Sequence, residues 1–79
     1  MAAAARDRRV LRHVADTIVA ERHRRRWSQD DLADAAEISL STVQRIELVQ
    51  SDASLTKYVR IARALGLPIA ELLQGVDEA

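Results

Sequence analysis

Residues 28–47, SQDDLADAAEISLSTVQRIE, decide how this chain folds. They read as two short helices joined by a tight turn. Ser28 stands three residues before Asp31, the spacing of a capping box. The Ser28 hydroxyl accepts from the Asp31 amide and the Asp31 carboxylate reaches back to the Ser28 amide, with a shorter acid than usual. Trp27 before the cap and Leu32 inside the helix are spaced as a hydrophobic staple. The helix so defined covers about 29–35 and buries Leu32, Ala33 and Ala36. Ile38 plugs the turn, and Ser39 is a good N-cap for the next helix, with Thr42 three residues on. On a 3.6-residue wheel Val43 and Ile46 point one way, while Leu40, Ser41, Gln44 and Arg45 point the other.

Upstream, Val10, Leu11, Val14, Ile18 and Val19 recur at helical spacing. A helix from about Asp7, as N-cap, to Arg25 follows, with residues 1–6 as a disordered arm before it. Downstream, residues 48–54 (LVQSDAS) have loop character. Leu55, Tyr58, Val59, Ala62 and Leu65 give a fourth helical stripe, stopped by Gly66. Pro68 then starts a short fifth helix carrying Ile69, Leu72 and Leu73, which Gly75 is placed to end. No strand signal, repeat or linker interrupts this order. The expectation is an all-α fold of five helices, a single domain over residues 1–79.

Composition narrows the chemistry. Phe and Cys are absent, and Trp27 and Tyr58 are the only aromatics, so the modest core is made of Leu, Ile, Val and Ala. There is no disulfide framework or thiolate metal site. His13 and His23 are ten apart, which is not metal-ligand spacing. Asp30, Asp31 and Asp34 suit a helix N-terminus better than acid–base chemistry. With no phosphate-cradling glycine loop and no nucleophile–base pair, neither an enzyme nor a bound cofactor or metal is expected. No apolar run approaches the roughly 20 residues that cross a bilayer. The opening MAAAA lacks the apolar core of a secretory signal, so a cytoplasmic protein without membrane contact is expected. Net charge is zero but unevenly spread. Residues 1–28 hold eight arginines against three acids, net +5; residues 29–79 hold four cations against nine acids, net −5. Such a chain can offer one basic surface while neutral overall.

A small helix with short polar groups on one face has the size that the DNA major groove admits. Arg45 is suited to a bidentate grip on guanine and Ser41 to a base edge; the plainer reading of Arg45 is a phosphate clamp or a solvated cation. Ser39 and Thr42 have hydroxyls suited to phosphate oxygens, and capping explains them equally well.

From about Val14 to Leu73 the chain resembles the lambda repressor/Cro-type (XRE-like) helix-turn-helix family. The matching text is Arg22, then WSQDDLA (27–33), ISLSTVQRIE (38–47), SL (54–55) and IARALGL (61–67). The resemblance implies a lambda-repressor-like domain with the helix-turn-helix at helices 2 and 3. It implies DNA base reading by Leu40, Ser41, Gln44 and Arg45. Leu40 fits a thymine methyl, or packing within the protein or on a partner. Gln29 matches the position that donates to a phosphate; Arg25 and Arg26, near the start of helix 2, and Gln50, in the following loop, join it. Arg22 and Glu47 match an internal ion pair. Three departures stand out. Glu37 replaces the usual turn glycine at a cost of about 1 kcal/mol, Leu48-Val49 follow Glu47 where Glu-x-Gly is usual, and Ala53 replaces a loop proline.

The family resolves the short reach of one recognition helix by dimerising on near-palindromes, with half-sites roughly 34 Å apart. Leu67, Ile69, Leu72, Leu73 and Val76 exceed what a one-turn helix needs for its own core, and supply the homodimer contact. The implied function is a transcriptional regulator of operator DNA, a repressor like small phage Cro-like proteins or restriction–modification controllers, with RNA polymerase as a further partner. The alternative is a helix-turn-helix antitoxin or adaptor that docks a toxin or another protein.

Overall fold

A computed structural model describes residues 2–79, and the side chains from Ala4 onward. The chain forms α1 (Ala2–Arg24), α2 (Gln29–Ala36), α3 (Leu40–Glu47), α4 (Leu55–Ala64), α5 (Ile69–Leu72) and a 3-10 turn (Val76–Glu78). Among the described residues there is no strand, and no helix is long and apolar enough to cross a membrane.

α1 corrects the expectation at its start. It begins at Ala2, so residues 2–6 are helical rather than an arm and Asp7 is interior rather than a cap. Once Val14, Ala15 and Ile18 are buried, each further N-terminal residue adds a hydrogen bond without a new nucleation cost, and alanine is the best helix former. Residues 4–9 are exposed, so these turns run beyond the core.

The largest fully buried side chains come from all five helices: Ile18, Leu32, Val43, Ile61 and Leu72. α2 packs against α3 and α4, and α1 against α3. Trp27 and Ile38 close the edges of this core. Leu72, at 0 % exposure, is lost from the expected dimer surface. Gly66 and Pro68 turn the chain between α4 and α5, and α5 packs on α4 and α1 with Leu72 on its inner side. Leu67, Ile69, Leu73 and Val76 also pack on the core but keep part of their surface open.

Four successive helices end in one device, a 6→1 backbone bond around a left-handed residue. The bonds are Trp27 N to Arg22 O (3.0 Å), Ile38 N to Ala33 O (3.1 Å), Gln50 N to Arg45 O (2.9 Å) and Leu67 N to Ala62 O (2.9 Å). The left-handed residues are Arg26 (φ 59°), Glu37 (φ 58°), Val49 (φ 55°) and Gly66 (φ 72°). Only the last is a glycine. Glu37 and Val49, where the resemblance leads one to expect glycine, therefore hold a left-handed backbone at about 1 kcal/mol each. Val49 is also buried, and burying a valine contributes about 1.5–3 kcal/mol, so its side chain more than offsets the strain.

α5 ends at Leu72, short of the expected Gly75. Gly75 instead turns the chain into the 3-10 segment at φ 84°. A Cβ there would lie 2.9 Å from His13 Nε2, and that nitrogen is 2.7 Å from the Gln74 carbonyl. His13 thus pins the C-terminal segment to α1.

Candidate nucleic-acid interface

α3 is held from behind by a closed polar network. Arg22 grips Glu47 with two bonds, Nε to Oε2 at 2.8 Å and Nη2 to Oε1 at 2.9 Å, while its Nη1 donates to the Trp27 carbonyl at 2.8 Å. The pair is 8 % and 7 % exposed. Gln29, in the first turn of α2, donates its amide to Glu47 Oε1 at 3.0 Å. Parallel bidentate bonds fix angle as well as distance. The end of α3 is therefore referenced to α1, to the turn after it and to the start of α2. No buried side-chain polar atom among the described residues lacks a partner.

The front of α3 is built differently. Ser39 caps it, its Oγ accepting from Thr42 N at 3.1 Å and lying 2.7 Å from Thr42 Oγ1. Leu40, Ser41, Gln44 and Arg45 are exposed. Gln44 and Arg45 make no side-chain hydrogen bond or ion pair with the described residues, and Ser41 has only a 3.4 Å contact to Ser39 Oγ. Four chemically distinct side chains thus face outward from a helix whose far side is anchored.

Two expected phosphate contacts are corrected. Thr42 is buried at 8 % exposure with its hydroxyl committed to Ser39, so it is not open to a phosphate. The signal was present in the sequence: Thr42 is four residues from Ile46 and shares its core-facing side. Arg25 donates from Nη1 to the Glu21 carbonyl and Glu21 Oε1, both at 2.7 Å, and from Nη2 to the Leu65 carbonyl. It ties the end of α1 to the end of α4 and is not a free cation. Arg24 also bonds Glu21, at 2.6 Å. The guanidiniums of Arg25 and Arg24 hold the Glu21 carboxyl below the usual carboxylate range.

Arg26 is the member of this arginine run left exposed without a side-chain partner among the described residues. Gln50 is exposed, and its backbone amide closes the end of α3. Sequence reasoning missed three structural contacts: Arg25 to Leu65, Arg60 to the Glu37 carbonyl at 3.2 Å, and His13 to Gln74. Each joins residues at least 23 apart, and no local spacing signals it.

An all-helical domain whose second and third helices meet at a tight turn, the third with one face anchored and one open, is of the helix-turn-helix class. The helix-turn-helix family model matches residues 18–72, from within α1 to the end of α5. The chain belongs to this family of DNA-binding helix-turn-helix regulators, of the XRE/lambda-repressor type. No curated protein matches the chain.

Proposed function

We propose that this protein is a sequence-specific regulator of transcription that represses as a homodimer on a near-palindromic operator in double-stranded DNA. The observation that carries the reading is the open face of α3, with Leu40, Ser41, Gln44 and Arg45 exposed while Arg22, Gln29 and Glu47 hold the helix from behind. A reading helix must offer unsatisfied groups at a fixed angle, and this one does.

Phosphates are held first, in a salt-dependent and sequence-blind way. Arg26, the second amide hydrogen of Gln29, Ser39 and Gln50 are the groups for that contact. Bases are then selected by Ser41, Gln44 and Arg45, with Arg45 bidentate on a guanine and worth about 1–3 kcal/mol of discrimination. One such helix reads too few base pairs to single out a genomic site. A twofold contact through Leu67, Ile69, Leu73 and Val76 brings a second helix to the next half-site. Repression follows from covering promoter elements.

Exposed acids on and after α2, Asp30, Asp34 and Glu37, together with the exposed Leu40, favour a second reading as an antitoxin or adaptor that docks a protein. Selection of bound duplexes from a random pool at low salt separates the two. The regulator yields a palindromic consensus, and a duplex carrying one half-site binds far more weakly than the full site. A chain that retains no duplex in dilute buffer is not a regulator of this kind.

A further inference from the structure

We infer that Leu40 gives the reading face a sensor for the 5-methyl group of a pyrimidine, so that thymine or 5-methylcytosine is favoured where uracil or cytosine is not; this rests on the base-reading role proposed above for α3. Leu40 opens α3 directly after its cap and is 38 % exposed. Ser41, Gln44 and Arg45 beside it can each form a hydrogen bond; Leu40 can form none. Its backbone is fixed by the Ser39 cap, an exposed residue whose Oγ accepts from the Thr42 amide and lies 2.7 Å from the Thr42 hydroxyl. The branched end of Leu40 is thus presented at a set place at the tip of the helix.

An exposed leucine gains only from contact with another apolar group. On the major-groove edge of the bases that group is the methyl at C5 of thymine. Cytosine carries a hydrogen at the same place unless it is methylated. A protein-docking patch is the competing use of an exposed leucine, and the layout disfavours it. The other large exposed hydrophobics are Leu48 and Leu55. Leu48 lies at the opposite end of α3, about 12 Å away at 1.5 Å per residue, and Leu55 lies beyond the following loop. Within α3 itself Leu40 is the one apolar side chain among the exposed residues, beside Ser41, Gln44 and Arg45, and a lone apolar side chain falls short of the contiguous patch that marks a protein partner.

The experiment uses the full chain and a duplex that it selects from a random pool. Each thymidine is replaced in turn by deoxyuridine, and binding is measured for the wild type and for Leu40→Ala. At one position in each half-site uracil weakens wild-type binding about fourfold, the effect of one buried methyl. Cytosine placed there binds less well than 5-methylcytosine, and Leu40→Ala is indifferent to both exchanges. Leu40 is exposed, so the variant keeps its fold, checked by unchanged helicity. Wild-type binding that is blind to uracil at every position overturns the inference, as does an equal loss in Leu40→Ala. In either case the sequence-selective binding proposed above stands, because the selected duplex is still bound, and base reading by α3 is tested separately by Arg45→Ala. If no duplex is selected at all, both readings fall together.

Discussion

The two faces of α3 differ in one respect that matters more than polarity. On the inner face, Glu47 has both carboxylate oxygens occupied, Arg22 donates three times, and Thr42 is bonded to the cap. On the outer face, Gln44 and Arg45 have no side-chain partner among the described residues, and Leu40 keeps over a third of its surface open. Both faces hold charge and amide groups. The inner ones are consumed by the fold, and the outer ones are held in reserve. Burial of a charge is tolerable only when it is paired, so inner-face substitutions act on stability and outer-face substitutions act on recognition.

The strongest way to break this contrast is to remove Glu47. Glu47→Ala strands the Arg22 guanidinium in a desolvated site, and a loss of about 3–5 kcal/mol is expected in denaturant unfolding. An unfolding midpoint equal to that of the wild type would show that the inner network does not hold α3. Next in size, Arg45→Ala should leave the unfolding midpoint in place while discrimination at one base pair per half-site falls by about 1–3 kcal/mol. A shift in stability there would mean that the outer face is also structural.

Glu37 and Val49 sharpen the comparison at smaller scale, since they share one backbone conformation and differ in burial. Glu37→Gly should stabilise the protein by up to about 1 kcal/mol, because its side chain is exposed and only strain is removed. Val49→Gly should destabilise it, because the buried side chain outweighs the strain. Thermal or denaturant unfolding of both variants gives the signs, and two stabilising results would refute the burial argument. The finest test separates neighbouring arginines. Arg26→Ala should flatten the salt dependence of DNA binding by about one unit per chain. Arg25→Ala should leave that slope unchanged and lower stability, since its guanidinium joins α1 to α4.

Much of this was legible in the residues. The Ser28–Asp31 capping box has both of its bonds, Ser28 N to Asp31 Oδ2 at 2.8 Å and Asp31 N to Ser28 Oγ at 3.0 Å. Ser39 caps α3, and the helix order follows the apolar stripes because those stripes are what the core buries. The start of α1 was hidden because a run of small residues carries no stripe, yet it propagates a helix nucleated elsewhere. Arg25 differs from Arg26 by a glutamate four residues before it, Glu21, a spacing that pairs charges on a helix, but its bond to the Leu65 carbonyl comes only from the tertiary fold. Thr42 lies four residues before Ile46 on the inward side, so its burial is readable from the helical period. Leu72 lies beyond left-handed Gly66, on a helix of four residues that is too short for a stripe to mark its inner side. Of the candidate site, the identity of the outward residues on α3 was legible from the wheel alone. Which cations stay free was not.

Because Gln44 and Arg45 have no side-chain partner among the described residues, and Ser41 only a long contact to Ser39, their identities can change without unsettling the scaffold. A lineage carrying this domain could drift toward new target sequences through folded intermediates, since the back of the helix keeps its pose whatever is displayed in front. Randomising positions 40, 41, 44 and 45 together should accordingly give a library in which most members remain soluble and helical.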